Sequence, residues 1–212
     1  MRKGLFNFVF LISIIGYSQY ANLELSTGGF SLVPAFTDTD PNLIFQAGSS
    51  DKRRISTHLI GNIKLATFNP RVLIFMTRAK LIDKEDKKFK LSAGVHLPVL
   101  QIDEKYNVLS FFAQELVSSY PLSKKILLHS TYIHGKGRNN DLEINLFTLS
   151  GIVMHNRFRF ASQVYYLDLD QTYGIAETIS YNLNSRLELR AFVNQTLSTN
   201  QFIWTAGLNC KL

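Results

Sequence analysis

The sequence predicts an all-β fold, a closed antiparallel β-barrel that spans a membrane, and three observations predict it. The chain is a succession of long segments separated by short polar turns. A membrane-crossing strand needs about 9–11 residues, whereas strands of soluble proteins centre on about 5–6. Apolar residues alternate with small or polar ones along most of each segment, which is typical of barrels whose outer face meets lipid. The start of the chain also has the features of an export signal.

The export signal is predicted from three consecutive features. The chain opens with the basic segment Met1-Arg2-Lys3, continues with a mostly apolar run over 5–15, and then has a small-x-small pattern at 16–18. The apolar run is too short for a membrane-spanning helix, which needs about 20 residues. We therefore expect a cleaved signal peptide over 1–19 and a single barrel domain over 20–212.

Twelve segments of the mature chain are predicted as strands. An even number places both termini on the periplasmic side of the membrane. The first segment is interrupted by Gly28-Gly29 and Pro34, so ten strands remain the alternative if the first two segments lie outside the wall. The predicted strands are 22–36, 42–48, 54–67, 71–82, 88–102, 106–120, 124–135, 141–154, 157–168, 172–183, 186–197 and 201–212.

The alternation assigns an outer and an inner face to each strand. The inner faces mix small and large residues, namely Ser92, Gly94, Thr178 and Ser180 with Lys80, Lys90, Phe112 and Arg190. The residues expected to face lipid on four segments are Ile55, Thr57, Leu59, Ile63 and Leu65; Leu73, Phe75, Thr77, Ala79 and Leu81; Phe89, Leu91, Ala93, Val95, Leu97 and Val99; and Phe202, Trp204, Ala206, Leu208, Cys210 and Leu212.

Aromatic residues gather near the predicted strand ends. Such positions suit the aromatic girdles that lie at the two membrane interfaces, although aromatic residues are also enriched in ordinary strands. The residues concerned are Phe68, Phe89, Tyr106, Tyr120, Tyr132, Phe158, Phe160, Tyr173, Tyr181 and Phe202.

Face matching predicts a basic row on the inner wall. A three-residue connection at 68–70 sets His58 opposite Lys80 and Arg78 beside them, and a five-residue loop over 83–87 sets Lys80 opposite Lys90. Opposed like charges destabilise a sheet, so this row requires anions. They are a solute, lipid headgroups, or the chain's own carboxylates at Asp83, Glu85 and Asp86.

A second polar group is predicted near the end of the chain. If Leu197 opposes Phe202, Glu188 lies opposite Lys211 and Arg190 opposite Asn209. Charges of both signs then face each other, which indicates a self-neutralising filling of the lumen.

Enzymatic, metal-binding and nucleic-acid functions find little support. His134 stands beside the glycine-containing segment 135–140 without a nearby serine, and the five histidines show no ligand spacing. The single cysteine, Cys210, fits a small apolar position on a strand. The net charge of +7 becomes +5 without Arg2 and Lys3, and its basic residues are scattered rather than gathered on a nucleic-acid-binding module. We predict no catalysis, no cofactor and no metal.

The chain resembles the small outer-membrane β-barrel proteins of the Bacteroidota. The resemblance is carried by Met1-Arg2-Lys3, the signal end Gly16-Tyr17-Ser18-Gln19, and the hairpins from Tyr173 to Leu212. It implies residence in the outer membrane, contact with its lipid, and assembly by the barrel-assembly machinery. The chain departs from the usual pattern by ending in Leu212 instead of an aromatic residue.

Three functions are compatible with these observations. The first is a narrow, porin-like channel or solute-binding barrel whose basic lumen favours small anions. The second is a structural or assembly barrel plugged by its own side chains. The third is a soluble periplasmic β-protein.

Overall fold

A computed structural model describes the chain in five stretches, and everything below refers to them: residues 20–28, 34–37, 39–50, 53–83 and 88–212. The predicted signal peptide over 1–19 lies outside the described residues.

Twelve strands form the wall, which confirms the predicted barrel and its strand number. Each strand pairs antiparallel with its neighbours, and β1 pairs with both β2 and β12, so the sheet is closed. The first two segments therefore belong to the wall. The strands are β1 (Tyr20–Ser26), β2 (Asn42–Gly48), β3 (Ile55–Lys64), β4 (Asn69–Ile82), β5 (Lys90–Ile102), β6 (Val108–Pro121), β7 (Ile126–Gly137), β8 (Glu143–His155), β9 (Phe158–Leu167), β10 (Thr172–Asn182), β11 (Leu187–Thr196) and β12 (Gln201–Lys211).

The two ends of the barrel differ in their connections. The end that carries both chain termini, called the termini end here, has the turns 49–54, 83–89, 122–125, 156–157 and 183–186. The opposite end, called the far end, has the connections 27–41, 65–68, 103–107, 138–142, 168–171 and 197–200. An even strand number places the termini end on the periplasmic side of an outer membrane.

The outer and inner faces alternate as predicted on most strands. On β12 the side chain of Trp204 is 67% exposed on the outer surface, while Thr205 beside it is only 4% exposed and points inward. Lipid-facing residues such as Phe75, Leu81 and Phe202 are likewise exposed. The apolar outer face is what a barrel in lipid requires.

Three sequence predictions about the strands are wrong. β1 ends at Ser26 and does not extend to residue 36. The register of β5 shifts between His96 and Val99, so Val99 turns into the barrel and packs against Ile74 and Met76. Phe112 faces outward, because it pairs with Lys136 while its neighbour Phe111 lies opposite Val99 on the inner face.

In the long first connection, the described segment 34–37 lies against the inner wall of the barrel. It includes a short 3₁₀ turn, Pro34–Phe36, which contacts β9 and β10. Pro34 is fully buried, and its carbonyl accepts a hydrogen bond of 2.9 Å from the Asn194 side chain. Among the described residues, no helix is long and apolar enough to cross a membrane.

Candidate functional site: the lumen of the barrel

The inner wall is polar and is largely packed with side chains. Residues that point inward include the buried polar groups Glu24, Ser56, His58, Asn62, His96, Glu115, Thr148, Ser150, Asn194, Thr205 and Asn209. Their strand neighbours on the outer face are mostly apolar. A polar interior within an apolar shell is the arrangement of water-filled or plugged membrane barrels.

The predicted row of basic residues is not formed as expected. His58 lies opposite Met76, and Arg78 lies between Ser56 and Gly94. Lys80 lies opposite Ser92 on one side, so neither His58 nor Lys90 is its direct partner. The main reason is the position of the turns: Lys64 pairs with Asn69 across the connection 65–68, and the connection 83–89 is two residues longer than the predicted loop over 83–87. Bulges at Asn62/Ile63 and between Lys80 and Ile82 shift the register further. The shifts keep the predicted inward face of all four residues.

His58 has local partners instead of cationic neighbours. Its Nδ1 lies 2.6 Å from the Tyr20 hydroxyl, and its Nε2 lies 2.9 Å from Ser56 Oγ. The imidazole therefore helps to fix β1 and β3 against each other. Tyr20 was not predicted as its partner, because the contact depends on where β1 enters the barrel.

Lys80 and Lys90 do come together at the termini end, through an aspartate. Both ammonium groups donate to Asp83, Lys80 to Oδ2 and Lys90 to Oδ1, each at 2.5 Å. The chain's own carboxylate folds back on the pair, which is one of the three anion sources expected from the sequence. Hydrogen bonds from Lys80 and then Lys90 hold the pKa of the Asp83 carboxyl below its ordinary value of 3.8.

Arg78 is held by a glutamate that the sequence did not single out. Its Nε and Nη2 donate to the two carboxylate oxygens of Glu115 at 2.6 and 3.0 Å. His96 Nε2 lies 3.1 Å from the same carboxylate, whose side chain is 2% exposed. Gly94 lies between Arg78 and Glu115, and a Cβ at this position would meet Glu115 Oε1 at 2.5 Å. The absence of a side chain at Gly94 therefore makes room for the ion pair.

The second predicted polar group does assemble, with different partners. Arg190 donates to Glu24 at 2.7 Å and to Glu188 at 3.0 Å, and Lys211 Nζ lies 3.7 Å from Glu188. The register differs by two residues from the predicted one: Glu188 lies opposite Asn209, and Arg190 opposite Gly207. Glu24 could not be foreseen, because only closure of β1 on β12 brings it to this place.

The packing of this group leaves little space beside it. A cavity of about 10 Å³ is bordered by Glu24, Ser26, Gly28, Arg190, Phe192, Thr205 and Gly207. Such a volume is barely enough for one water molecule. The group thus fills the lumen on the β1 and β11 side with charges of both signs.

The far-end half of the lumen contains two clusters of apolar side chains. One cluster consists of the buried residues Ile60, Ile74 and Met76, with Val72 and Val99 against them. The other consists of Leu146, Tyr165 and Leu167, with Ile133, Ile144 and Leu169. Together with buried Pro34 from the first connection, they narrow the barrel at its far end.

The termini-end half holds a cation that the sequence analysis missed. Arg159 near the start of β9 points inward, lies opposite Met154 and Ser180, and is exposed. Within the described residues its guanidinium has no acidic partner. Its charge and that of Arg78 both act electrostatically on His129. The inward parity of β9 was visible in the sequence, but nothing in the sequence indicated that Arg159 would lack a counter-ion.

The titratable groups do not form a metal centre. The described residues hold no group of three or more histidine, cysteine, aspartate or glutamate side chains that could hold a metal ion. His134, considered above for catalysis, faces outward and lies 3.0 Å from Asn145 Oδ1.

Several solved porin structures resemble this barrel. Two structures of the KdgM porin, one in complex with disordered oligogalacturonate and one without, match with TM-scores of 0.65 and 0.64 at 8% identity. Each match covers 90% of this chain and 98% of the porin chain. A structure of the NanC porin matches with a TM-score of 0.58 at 9% identity, over 89% and 97% of the two chains.

The comparisons establish the fold of the chain. It has the fold of these porins. No family model and no curated protein matches the sequence.

Proposed function

We propose that this chain is a non-enzymatic outer-membrane barrel whose lumen binds small anionic solutes and gives them a narrow passage. The observation that carries the proposal is Arg159, an inward, exposed cation without an acidic partner among the described residues. Arg159 and Arg78 both act electrostatically on His129. Lys80, Lys90 and Lys211 add further positive charge toward the same end of the lumen.

The charge arrangement gives a physical reason for anion preference. Fixed charges that line a confined passage with low-dielectric walls concentrate counter-ions and exclude co-ions. The three acidic groups nearby, Asp83, Glu115 and Glu188, are each already engaged by a cation. Arg159 is thus the cation best placed to meet a solute anion. One of the similar porin structures contains an acidic oligosaccharide, oligogalacturonate, which agrees with a solute of this charge.

The same proposal includes how the chain reaches the membrane. The segment 1–19 is removed as a signal peptide, the barrel is inserted by the barrel-assembly machinery, and the source is a member of the Bacteroidota. Intact-mass measurement of protein purified from membranes checks the first step. We expect a mature chain that begins at Tyr20, and retention of Met1 to Ser18 would contradict it.

A plugged structural barrel is the second candidate. It is favoured by the two apolar clusters and by Pro34, which together narrow the far-end half of the lumen. A barrel that is always closed in this way would not transport solutes. Its function would be structural, or it would bind protein partners in the membrane.

The reversal potential of the protein in a planar bilayer, under a salt gradient, separates the two candidates. We expect an anion-selective wild type, weaker selectivity in Arg159→Gln, and weaker or inverted selectivity in Lys80→Glu/Lys90→Glu. Lys136→Gln is the matched control, since it removes one positive charge from the outer wall. Selectivity should fall with salt, because the screening length shrinks from about 10 Å at 0.1 M to about 3 Å at 1 M.

Each other result has a defined meaning. A cation-selective wild type, or an Arg159→Gln variant indistinguishable from Lys136→Gln, would remove the anion site. Properly folded protein without any conductance would favour the plugged barrel.

A further inference from the structure

The two ends of the barrel carry opposite charge. The five turns of the termini end contain ten basic and four acidic residues, whereas the six connections of the far end contain seven acidic and two basic residues. The difference is not needed for the passage of a solute, because these residues lie in the turns and not on the inner wall. It therefore calls for a separate explanation.

The basic side chains of the termini end that the structure describes are exposed. Every one of the five turns contributes at least one, and none of those described has an acidic partner among the described residues. We call them the basic collar: Arg53, Arg54, Lys88, Lys124, Lys125, Arg157 and Arg186. The aspartate in these turns that the structure describes, Asp83, is already bound to Lys80 and Lys90, which belong to the strands.

Several acidic residues of the far end are, by contrast, bonded within the protein. Asp40 lies 2.8 Å from Lys64 Nζ and 3.4 Å from Arg71 Nη1. Asp103 accepts hydrogen bonds from Asn107, and Asp168 accepts two from Asn145. Among the described residues, the seven exposed basic side chains of the collar therefore form the larger set of turn charges without a partner of opposite sign.

The position of the collar relative to the membrane follows from the aromatic residues beside it. Phe158 and Tyr181 lie on the outer face at the termini end, with ring centroids 4.7 Å apart, and Phe160 stacks on Phe158. Tyr120 and Phe89 are exposed at the same end. Such aromatic side chains settle at the level of the lipid headgroups. The turns that follow them along each strand therefore lie at, or just outside, the phosphate layer.

We propose that the basic collar binds the headgroups of anionic phospholipids in the leaflet at the termini end, which is the periplasmic leaflet. Guanidinium and ammonium groups at this depth can form charge-assisted hydrogen bonds to lipid phosphate oxygens. Clustered basic residues at a membrane surface attract anionic lipids electrostatically. The ring of turns would orient the barrel and surround its periplasmic mouth with acidic lipid. This role goes beyond solute passage and requires only that the barrel is inserted.

The experiment compares lipid retention by matched charge-removal variants. The full mature chain is folded into vesicles of phosphatidylcholine containing a minor fraction of phosphatidylglycerol and is gently extracted. Co-purifying lipids are counted by mass spectrometry. The collar variant is Lys124→Gln/Lys125→Gln/Arg157→Gln, and the control removes three charges near the far end, Lys105→Gln/Lys136→Gln/Arg138→Gln. Heat-dependent gel migration checks that each variant is folded.

We expect wild type and control to retain phosphatidylglycerol in preference to phosphatidylcholine. In the collar variant, the ratio of retained phosphatidylglycerol to phosphatidylcholine should be at least about fivefold lower than in wild type. No preference in wild type, or equal losses in both variants, would overturn the proposal. A further arm offers soluble inorganic phosphate and polyglutamate to the protein in pure phosphatidylcholine. Binding of either as strong as that of the lipid would assign the collar to a soluble acidic partner instead. Conductance, measured separately in neutral lipid, reports on the solute passage independently.

Discussion

At the scale of single residues, Glu115 connects stability to selectivity. Its carboxylate is buried and is the counter-ion of Arg78, with His96 also close. We expect Glu115→Gln to lower the free energy of unfolding by about 1–3 kcal/mol, because a charged hydrogen-bond partner of Arg78 is lost. The same change leaves the charge of Arg78 uncompensated, so anion selectivity should increase.

The measurements are urea unfolding in lipid vesicles and the reversal potential of the same preparation. Glu143→Gln serves as the control, since it removes a carboxylate that is exposed near the far end of β8. If Glu115→Gln were to weaken anion selectivity, the electrostatic account of the lumen would be wrong.

The alternation in the sequence predicts whether a side chain points into the barrel or toward lipid, but it does not predict which residue lies opposite on the neighbouring strand. His58, Arg78, Lys80 and Lys90 all point inward as predicted, because a period of two assigns the face of a residue without knowledge of its neighbour. Their partners depend on register, and a shift of two residues changes every partner without changing a face. Arg190 illustrates this: it faces inward and, like Lys211, contacts Glu188, yet it lies opposite Gly207 instead of Asn209.

At the scale of elements, the first connection is anchored inside the barrel through Asn194. Asn194 donates to the Pro34 carbonyl at 2.9 Å and accepts from the Tyr165 hydroxyl at 3.0 Å. We expect Asn194→Ala to release this segment and to raise the mean single-channel conductance. Thr196→Ala is a matched control, because Thr196 also contacts Tyr165, at 3.1 Å, but not Pro34. Equal conductance in the two variants would show that the anchor does not limit the passage.

The β4–β5 connection offers a pH test of the termini-end mouth. Because the pKa of Asp83 is held below 3.8, its carboxylate offsets one of the two positive charges of Lys80 and Lys90 throughout the neutral range. The stabilisation from this link is present above the ordinary aspartate pKa and is lost as the pH falls through the lowered value. The contribution of Asp83 to the anion selectivity of the wild type should therefore change only below pH 3.8.

Asp83→Asn isolates this contribution from the other carboxylates of the lumen. The variant should be more anion-selective than wild type at neutral pH, and the difference between the two should vanish on strong acidification. Reversal potentials measured across a pH series check both statements. A difference that persists unchanged at the acidic end would assign the effect to something other than the charge of Asp83.

Register shifts within strands could not be predicted from the sequence. Twelve strands and their approximate limits follow from alternation and turn residues. The shift between His96 and Val99 does not, since Val99 continues the apolar alternation of β5 and yet turns inward to join Ile74 and Met76. An apolar residue satisfies either environment here, so hydrophobicity alone does not decide its face. β1 ends at Ser26, shortly before Gly28, whose φ of 154° is one that side-chain-bearing residues rarely adopt.

At the scale of the whole molecule, closure is the property on which lumen, faces and collar all depend. Glu24 reaches Arg190 only because β1 pairs with β12 and closes the sheet. The two ends of the barrel keep distinct charges only if every strand crosses the whole membrane. The seam consists of five pairs, from Asn22 with Lys211 to Ser26 with Gly207. It joins residues that are far apart in the chain, so no local pattern specifies it. A closed barrel has no unpaired strand edge, and it therefore resists unfolding by detergent.

The seam can be tested by a proline. The backbone of Thr27 donates to Ala206, and Ala21 accepts from Leu212, so alternation assigns the intervening Leu25 to the same hydrogen-bonded side. Leu25→Pro removes that donor without filling the lumen, because Leu25 is exposed on the outer face. Wild type should migrate differently in detergent gels before and after boiling, and Leu25→Ala should show the same difference as wild type. The temperature of heating at which the folded form is lost should be lower for Leu25→Pro than for Leu25→Ala. If Leu25→Pro were as heat-resistant as Leu25→Ala, the β1–β12 seam would not be what closes the barrel.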